Sequence, residues 1–295
     1  MAELKHTFTW QMKAPPARVF AALTTPGELT AWLADDAEVD LRPGGVFRFW
    51  GRHVYGAPKV GSQRLIGFEP DRMLAFSWDL HGQPSRVTLE LAPCDPESNP
   101  EGTTVTGVHV FPDEPAIGRA REMVDDLWRI LNGNLSAHLA GGAGLMRVDF
   151  ADPQPEVQVS TVIDAPVAKV FKAFTDAELL KRWTGAPAPV VEPHAGGRYE
   201  YGWAYEVDGR QVTGGPTRIL EYVENKKLVT DWPDWRGDPS VPTQRITWLF
   251  DEVDGKTRVT VIHDGFVRAV DISDYPFGWG GFGQMLRSIF EPAEA

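Results

Sequence analysis

The stretch "PPARVFAALTTPGELTAW" (residues 15–32) returns in the second half of the chain as "PVAKVFKAFTDAELLKRW" (residues 166–183). In the first copy Val19, Phe20 and Leu23 stand at i, i+1 and i+4, one face of a helix, and Pro15 and Pro16 suit its start. A second short helix is expected from "TPGEL" to Trp32. An echo of this length makes duplication the first question to settle.

Working outward, every later landmark is also answered in order. "RPGGVFRFW" (42–50) pairs with "HAGGRYEYGW" (194–203), and "RLIGFEPDRMLAFSW" (64–78) with "RILEYVENKKLVTDW" (218–232). "SRVTLEL" (85–91) pairs with "QRITWLF" (244–250), and "TTVTGVH" (103–109) with "TRVTVIH" (257–263). Trp128 and Leu135 are matched by Trp279 and Leu286. The seam is "AGGAGLMRVDFADPQPE" (140–156), glycine and then proline, which reads as linker. Two homologous domains are expected, at 1–142 and 155–292, each large enough for its own core.

Alternation at Phe8, Trp10 and Met12, and at Val157, Val159, Thr161 and Ile163, opens each half with a strand. After the paired helices come five or six antiparallel strands, interrupted by "PGG", "EPDR" and the loop "APCDPESNPEG" (92–102). A closing helix is expected over 115–140 in the first half and 275–290 in the second. Several strands with one apolar face and a long helix to cover it make an α+β domain.

Of 295 residues, 42% are hydrophobic and 24% charged, a composition that argues against extended disorder. Acidic residues number 41 against 29 basic, a formal net charge of −12, which disfavours nucleic acid and anionic membranes as partners. A single cysteine, Cys94, allows no intrachain disulfide and no cysteine-rich metal site. The N-terminus has no apolar signal segment, and no run of apolar residues is long enough to span a membrane, so a cytoplasmic protein is expected.

Strand parity sorts the faces. Phe47, Phe49, His53 and Tyr55 share one face, as do Leu74, Phe76 and Trp78; Val87, Leu89 and Leu91; and Val105, Gly107 and His109. In the second half the same face carries Tyr199, Tyr201, Trp203 and Tyr205, then Thr230 and Trp232, Ile246 and Trp248, and Val261 and His263. The chain holds 11 Trp, and the second half supplies Tyr and Trp where a purely structural core would use aliphatics. Such a lining suits a cavity for a ring-containing ligand, or a solid core whose hydroxyls reach the rim.

These landmarks, in order and twice over, resemble the START-like (SRPBCC, helix-grip) superfamily, nearest to the heat-shock-protein-90 ATPase activator homologues. "APPARVFAALTTPGELTAW", "RPGGVFRF", "GFEPDRMLAFSW", "TTVTGVH" and Trp128 carry the resemblance, each with its counterpart, over nearly the whole chain. The resemblance implies a curved antiparallel sheet gripping a long C-terminal helix, with an apolar pocket between them. It also implies a bacterial protein that binds a hydrophobic small molecule, acts like a polyketide cyclase or a resistance protein on a reactive metabolite, or works with a chaperone ATPase.

Chemistry is sparsely signposted. No phosphate loop, nucleophile elbow or paired metal-ligand spacing occurs, so neither cofactor nor metal is expected. "GWGGFG" (278–283) lies where the closing helix should run and is expected to loosen or break it. His53 and His109 are the candidate acid–base groups, because an imidazole in an apolar pocket can accept a proton near neutral pH. His109 and His263 occupy equivalent positions, which equally suits a structural hydrogen bond. Asp35, Asp36, Asp231, Asp234 and Asp238 read as solvated loop carboxylates. Trp232 and Trp235, in "DWPDWRGD", are candidates for a clamp over a ligand.

The expected partner is therefore a hydrophobic or aromatic small molecule, held more in the second domain than the first. Its lining would be Tyr199, Tyr201, Trp203, Tyr205, Trp232, Trp235, Trp248, His263 and Trp279, with Phe49, Tyr55, Trp78 and Trp128 in the first. Cyclase-like or hydrolytic turnover is the enzymatic alternative, and chaperone co-regulation the third.

Overall fold

The computed structural model describes residues 3–56, 63–80, 82–95, 97, 99, 101–113, 119–207 and 209–290. The chain divides into two compact units, Met1–Asp152 with Ala269–Asp274, and Pro153–Arg268 with Tyr275–Ala295.

The first unit runs β1 (Glu3–Met12), α1 (Pro16–Thr24), α2 (Pro26–Trp32), β2 (Asp36–Val39), β3 (Phe47–Trp50), β4 (Leu65–Glu69), β5 (Met73–Leu80), β6 (Gln83–Pro93), β7 (Thr103–Pro112) and α3 (Ala120–Leu139). The second repeats the plan: β8 (Val157–Ile163), α4 (Val167–Thr175), α5 (Ala177–Thr184), β9 (Val190–Val191), β10 (Tyr199–Glu200), β11 (Trp203–Val207), β12 (Arg210–Gly214), β13 (Ile219–Val223), β14 (Lys227–Trp232), β15 (Gln244–Val253), β16 (Lys256–Asp264) and α6 (Tyr275–Ser288). The expected start of the first closing helix, at 115, and part of the loop over 92–102 lie outside the described residues.

Each unit is α+β, with a five-stranded antiparallel sheet of the same order, β1-β7-β6-β5-β4 and β8-β16-β15-β14-β13. The sheets are continuous meanders from the second strand onward, with the opening strand returning to pair beside the last. Short separate ribbons, β2–β3 and β9–β10, stand beside them, and the second unit adds the ribbon β11–β12.

The repeated helix pair has a specific internal fastening. α1 buries Val19, Phe20, Ala22 and Leu23, and α4 buries Val170, Phe171, Ala173 and Phe174, the same stripe in each. The last carbonyls of a helix have no partner within it. For Ala22 the residue four places on is Pro26, which has no N–H to offer. Trp32 supplies one instead, its indole donating to Ala22 O at 3.0 Å, and Trp183 does the same to Ala173 O at 2.9 Å. One side chain thus fixes the angle between two helices and satisfies an orphan carbonyl. Glu28 then joins the first pair to the closing helix, accepting from Arg18 of α1 and from His138 of α3. The bond to His138, helped by Arg18, holds the Glu28 carboxyl below its usual pKa despite some burial.

The repeated glycine pair has a steric cause. Gly44 and Gly196 sit at φ +76° and +83°, and a Cβ on Gly45 or Gly197 would lie 2.2 Å from a backbone carbonyl of Asp40 or Glu192. The glycines of "GWGGFG" behave otherwise. α6 is continuous through them, so the expected break does not occur; the helix is shorter than α3, 14 residues against 20. Tertiary packing of Trp279 and Leu286 overrides the poor propensity. Only Gly283 is sterically required there, since a Cβ would lie 2.2 Å from Thr161 Oγ1, whereas one on Gly281 meets nothing within 4 Å. Gly281→Ala should therefore raise stability by about 0.5–1 kcal/mol and Gly283→Ala should lower it. Urea unfolding midpoints of the two variants check the sign of each.

Candidate functional site

The closing helix is pinned to the sheet by one repeated hydrogen bond. In the first unit the Trp128 indole of α3 donates to His109 Nδ1 of β7 at 3.1 Å. In the second the Trp279 indole of α6 donates to His263 Nδ1 of β16 at 3.2 Å. With Nδ1 accepting, the neutral ring carries its proton on Nε2. His109 Nε2 then donates to Ser85 Oγ at 2.7 Å, and the Ser85 hydroxyl donates in turn to Trp78 O. His263 Nε2 donates to Gln244 Oε1 at 2.8 Å. Ser85 and Gln244 stand near the start of equivalent strands, β6 and β15, so the two copies use different side chains for one acceptor.

Both histidines are fully buried, and burial pulls each pKa down to about 3, with His6 adding to the effect on His109. An imidazole with so low a pKa stays neutral at any working pH and is a weak base, contrary to the expectation that the pocket would leave it able to accept a proton near neutrality.

Beside the first pin lies an apolar gap of about 20 Å3 among buried side chains, room for about one water. Its walls include Trp32, Phe49, Trp78, Leu89, Trp128 and Leu131, from α2, β3, β5, β6 and α3. Of the residues expected in the first half, Phe49, Trp78 and Trp128 meet here. Trp32, together with Leu23, Leu29 and Leu33 of the helix pair, also faces the gap. The apolar stripe of that helix pair was the sequence signal that could have placed it at the site.

His53 and Tyr55 do not share the inward face of β3, because that strand ends at Trp50 and the chain turns. His53 instead bonds Val148 O through Nδ1 at 2.9 Å and lies 3.5 Å from Asp35. Tyr55 packs edge-on against Phe150. Asp35 also receives the Arg52 amide and Arg147, so this corner fastens residues 147–150 to the turn. Asp35 and Asp36 are both exposed, Asp35 held by these bonds and Asp36 opening β2, where it accepts the Ala37 amide at 2.8 Å.

In the second unit the aromatic residues close upon one another. Trp279 meets Trp232 at 5.2 Å and Trp248 at 5.4 Å between centroids, and Tyr201 meets Trp203 at 4.7 Å. Their polar atoms are also occupied. Tyr199 donates to Phe174 O at 2.9 Å, Tyr201 bonds Tyr199, and the Trp232 indole donates to the Tyr275 hydroxyl at 3.0 Å. Burial raises the pKa of both Tyr199 and Tyr201. Trp203 and Tyr205 stand on the ribbon β11–β12 rather than on a continuation of β10. Trp203 stacks on Phe282 of α6. Trp235 sits in the loop after β14, against Tyr205 and under the Arg236 guanidinium at 4.2 Å.

Asp231 is not a solvated loop carboxylate. β14 continues to Trp232, and the buried Asp231 accepts from the main chain of Thr217 and Arg218 and from the Thr217 hydroxyl. Asp234 closes its own turn by accepting the amides of Arg236 and Asp238. No group of three or more potential metal ligands occurs among the described residues. No helix among them is long and apolar enough to cross a membrane.

The sequence profile described as "Activator of Hsp90 ATPase homolog 1-like protein" matches twice, over residues 13–140 and 164–291. The chain belongs to that family. It carries the family's domain in tandem, and each match takes in one helix pair and its pinning tryptophan. No curated protein matches the sequence. Among solved structures, the chain is similar to DynU16 of the dynemicin biosynthetic locus, at 17% identity and a TM-score of 0.40 over 97% of this chain and 99% of that one. It is also similar to BexL, a di-domain ARO/CYC protein of the BE-7585A pathway, at 16% identity and 0.38 over the full length of both. The Aha1 dimer from Colwellia psychrerythraea gives 16% identity and 0.37, over 48% of this chain and 99% of that one. These are distant likenesses.

The buried imidazoles have a consequence for acid stability. Folded, they stay neutral down to about pH 3; unfolded, they protonate near 6.5. The unfolded chain then binds more protons, so stability should fall as pH drops from about 6.5 toward 3, by up to about 1.4 kcal/mol per pH unit for each histidine. Proton uptake on unfolding at pH 5 should fall by about one in His109→Gln. Unchanged uptake would place the acid sensitivity elsewhere.

Proposed function

We propose that this protein binds a hydrophobic or aromatic small molecule between a closing helix and its sheet, in domains placed at 1–142 and 155–292. The observation that carries the reading is the buried gap in the first unit, walled by apolar side chains on α1, α2, β3, β5, β6 and α3. At about 20 Å3 it admits a ligand only if helix and sheet part, so binding and opening are coupled. Burial of apolar ligand surface, worth about 25 cal/mol per Å2, drives that opening.

The aromatic richness of the second half supports a site there too, with the glycines of α6 lowering the cost of moving the helix. Against this, the rings of that half already satisfy each other's packing and hydrogen bonds. Our reading therefore gives the first unit the better-prepared site. Turnover is the weaker reading, because both ring nitrogens of His109 and of His263 are engaged in bonds. His53, beside Asp35 on a turn, remains the acid–base candidate.

Titration of the full chain with 2-acetylnaphthalene should show saturable binding. Leu131→Phe, which fills the gap, should weaken it by roughly tenfold, while the overpacking costs about 1–3 kcal/mol of stability. Absence of saturable binding to the wild type would remove the reading. Equal binding to the variant would move the site to the second unit.

A further inference from the structure

The two copies differ in how they treat one equivalent tryptophan. Trp232 and Trp78 occupy the same place in the paired segments 218–232 and 64–78. The Trp232 indole is satisfied by Tyr275, which stands four residues before Trp279 on α6. Four residues before Trp128 on α3 stands Val124, which has no acceptor to give. Trp78 Nε1, on a side chain 1% exposed that walls the gap, accordingly has no hydrogen-bond partner among the described residues.

A second donor repeats the contrast. Thr217 gives its hydroxyl to Asp231, but its counterpart Gln63, 2% exposed, leaves Nε2 without a partner. Gln63 is not idle, since its Oε1 accepts the Phe49 amide at 3.1 Å, which fixes the orientation of the side-chain amide. Leu65 pairs with Phe76, and just before β4 Ser77 N donates to Arg64 O at 2.9 Å, so the same register carried one residue further sets Gln63 opposite Trp78. Leaving a buried donor unpaired costs about 1–3 kcal/mol. The first unit carries two such donors where the second carries none at the equivalent positions.

From this contrast we infer that the first unit recognises a neutral carbonyl oxygen on its apolar ligand, with Trp78 Nε1 and Gln63 Nε2 as the donors. The inference rests on the ligand-binding reading above and names the chemistry of its ligand. A carbonyl oxygen has two lone pairs for two N–H groups. The residues walling the gap carry no cation, so a carboxylate there would be buried without a counter-charge and is disfavoured. The ligand class is therefore aryl or polycyclic ketones, quinones, esters and amides. The two donors are positioning and specificity groups.

The test uses an isosteric pair, 2-acetylnaphthalene and 2-isopropenylnaphthalene, which differ by oxygen against methylene. The intact protein should bind the ketone roughly tenfold more tightly than the alkene. Gln63→Leu and Trp78→Phe should each cut that ratio toward about twofold, the ratio within one variant cancelling any change of packing common to both ligands. Near-UV circular dichroism confirms that each variant is folded; should Trp78→Phe fail, Gln63→Leu carries the test. Equal affinity for ketone and alkene in the wild type overturns the inference and leaves the binding reading standing. A preference that survives in both variants also overturns it. Failure of both probes to bind overturns the two together.

Discussion

A buried indole–imidazole hydrogen bond, made once in each unit, is the constraint on which the rest of the structure depends. A long helix laid across a sheet by apolar contact alone can slide and rotate, because hydrophobic burial is not directional. The bonds from Trp128 to His109 and from Trp279 to His263 remove that freedom. They also set the imidazole tautomer, which dictates what must face the other ring nitrogen. Ser85 and Gln244 are alternative answers to that demand, one of which extends the relay to Trp78 O.

Seen from that bond, the helix pair at the start of each unit has a second purpose beyond closing an end. Trp32 and Trp183 lock the pairs by capping Ala22 and Ala173, and in the first unit the locked pair becomes one wall of the apolar gap. The Glu28 carboxylate then binds the pair to the far end of α3. The site is thus bounded by elements held through polar bonds at its ends and left apolar at its centre.

Much of this was legible in the sequence because duplication let each half check the other. The helix stripe, the glycine pair and the equivalence of His109 with His263 could all be read without coordinates. What escaped was what depends on partners far apart in the chain. Parity carried His53 and Tyr55 inward past Trp50, but a strand end leaves no mark in alternation. Asp231 looked like a loop carboxylate because its acceptor role is set by the main-chain amides of Thr217 and Arg218, just ahead of the neighbouring strand β13. The aromatic richness of the second half suggested openness, yet whether rings line a space or fill it depends on their mutual geometry. Whether Trp78 or Trp232 finds a partner turns on Val124 or Tyr275, one helix position that no local pattern singles out.

On the proposed reading, the unpaired donors of the first unit place stability and recognition in opposition. Trp78 and Gln63 sit in a core that would be firmer if either met an acceptor from the chain itself. Any programme of thermostabilisation, by consensus or by screening, will be drawn to substitutions that supply such an acceptor, because they are among the easiest gains available. Those same substitutions would make the first unit resemble the second and, on that reading, silence the proposed site, so hardened versions of this protein need selecting for binding as well as for heat.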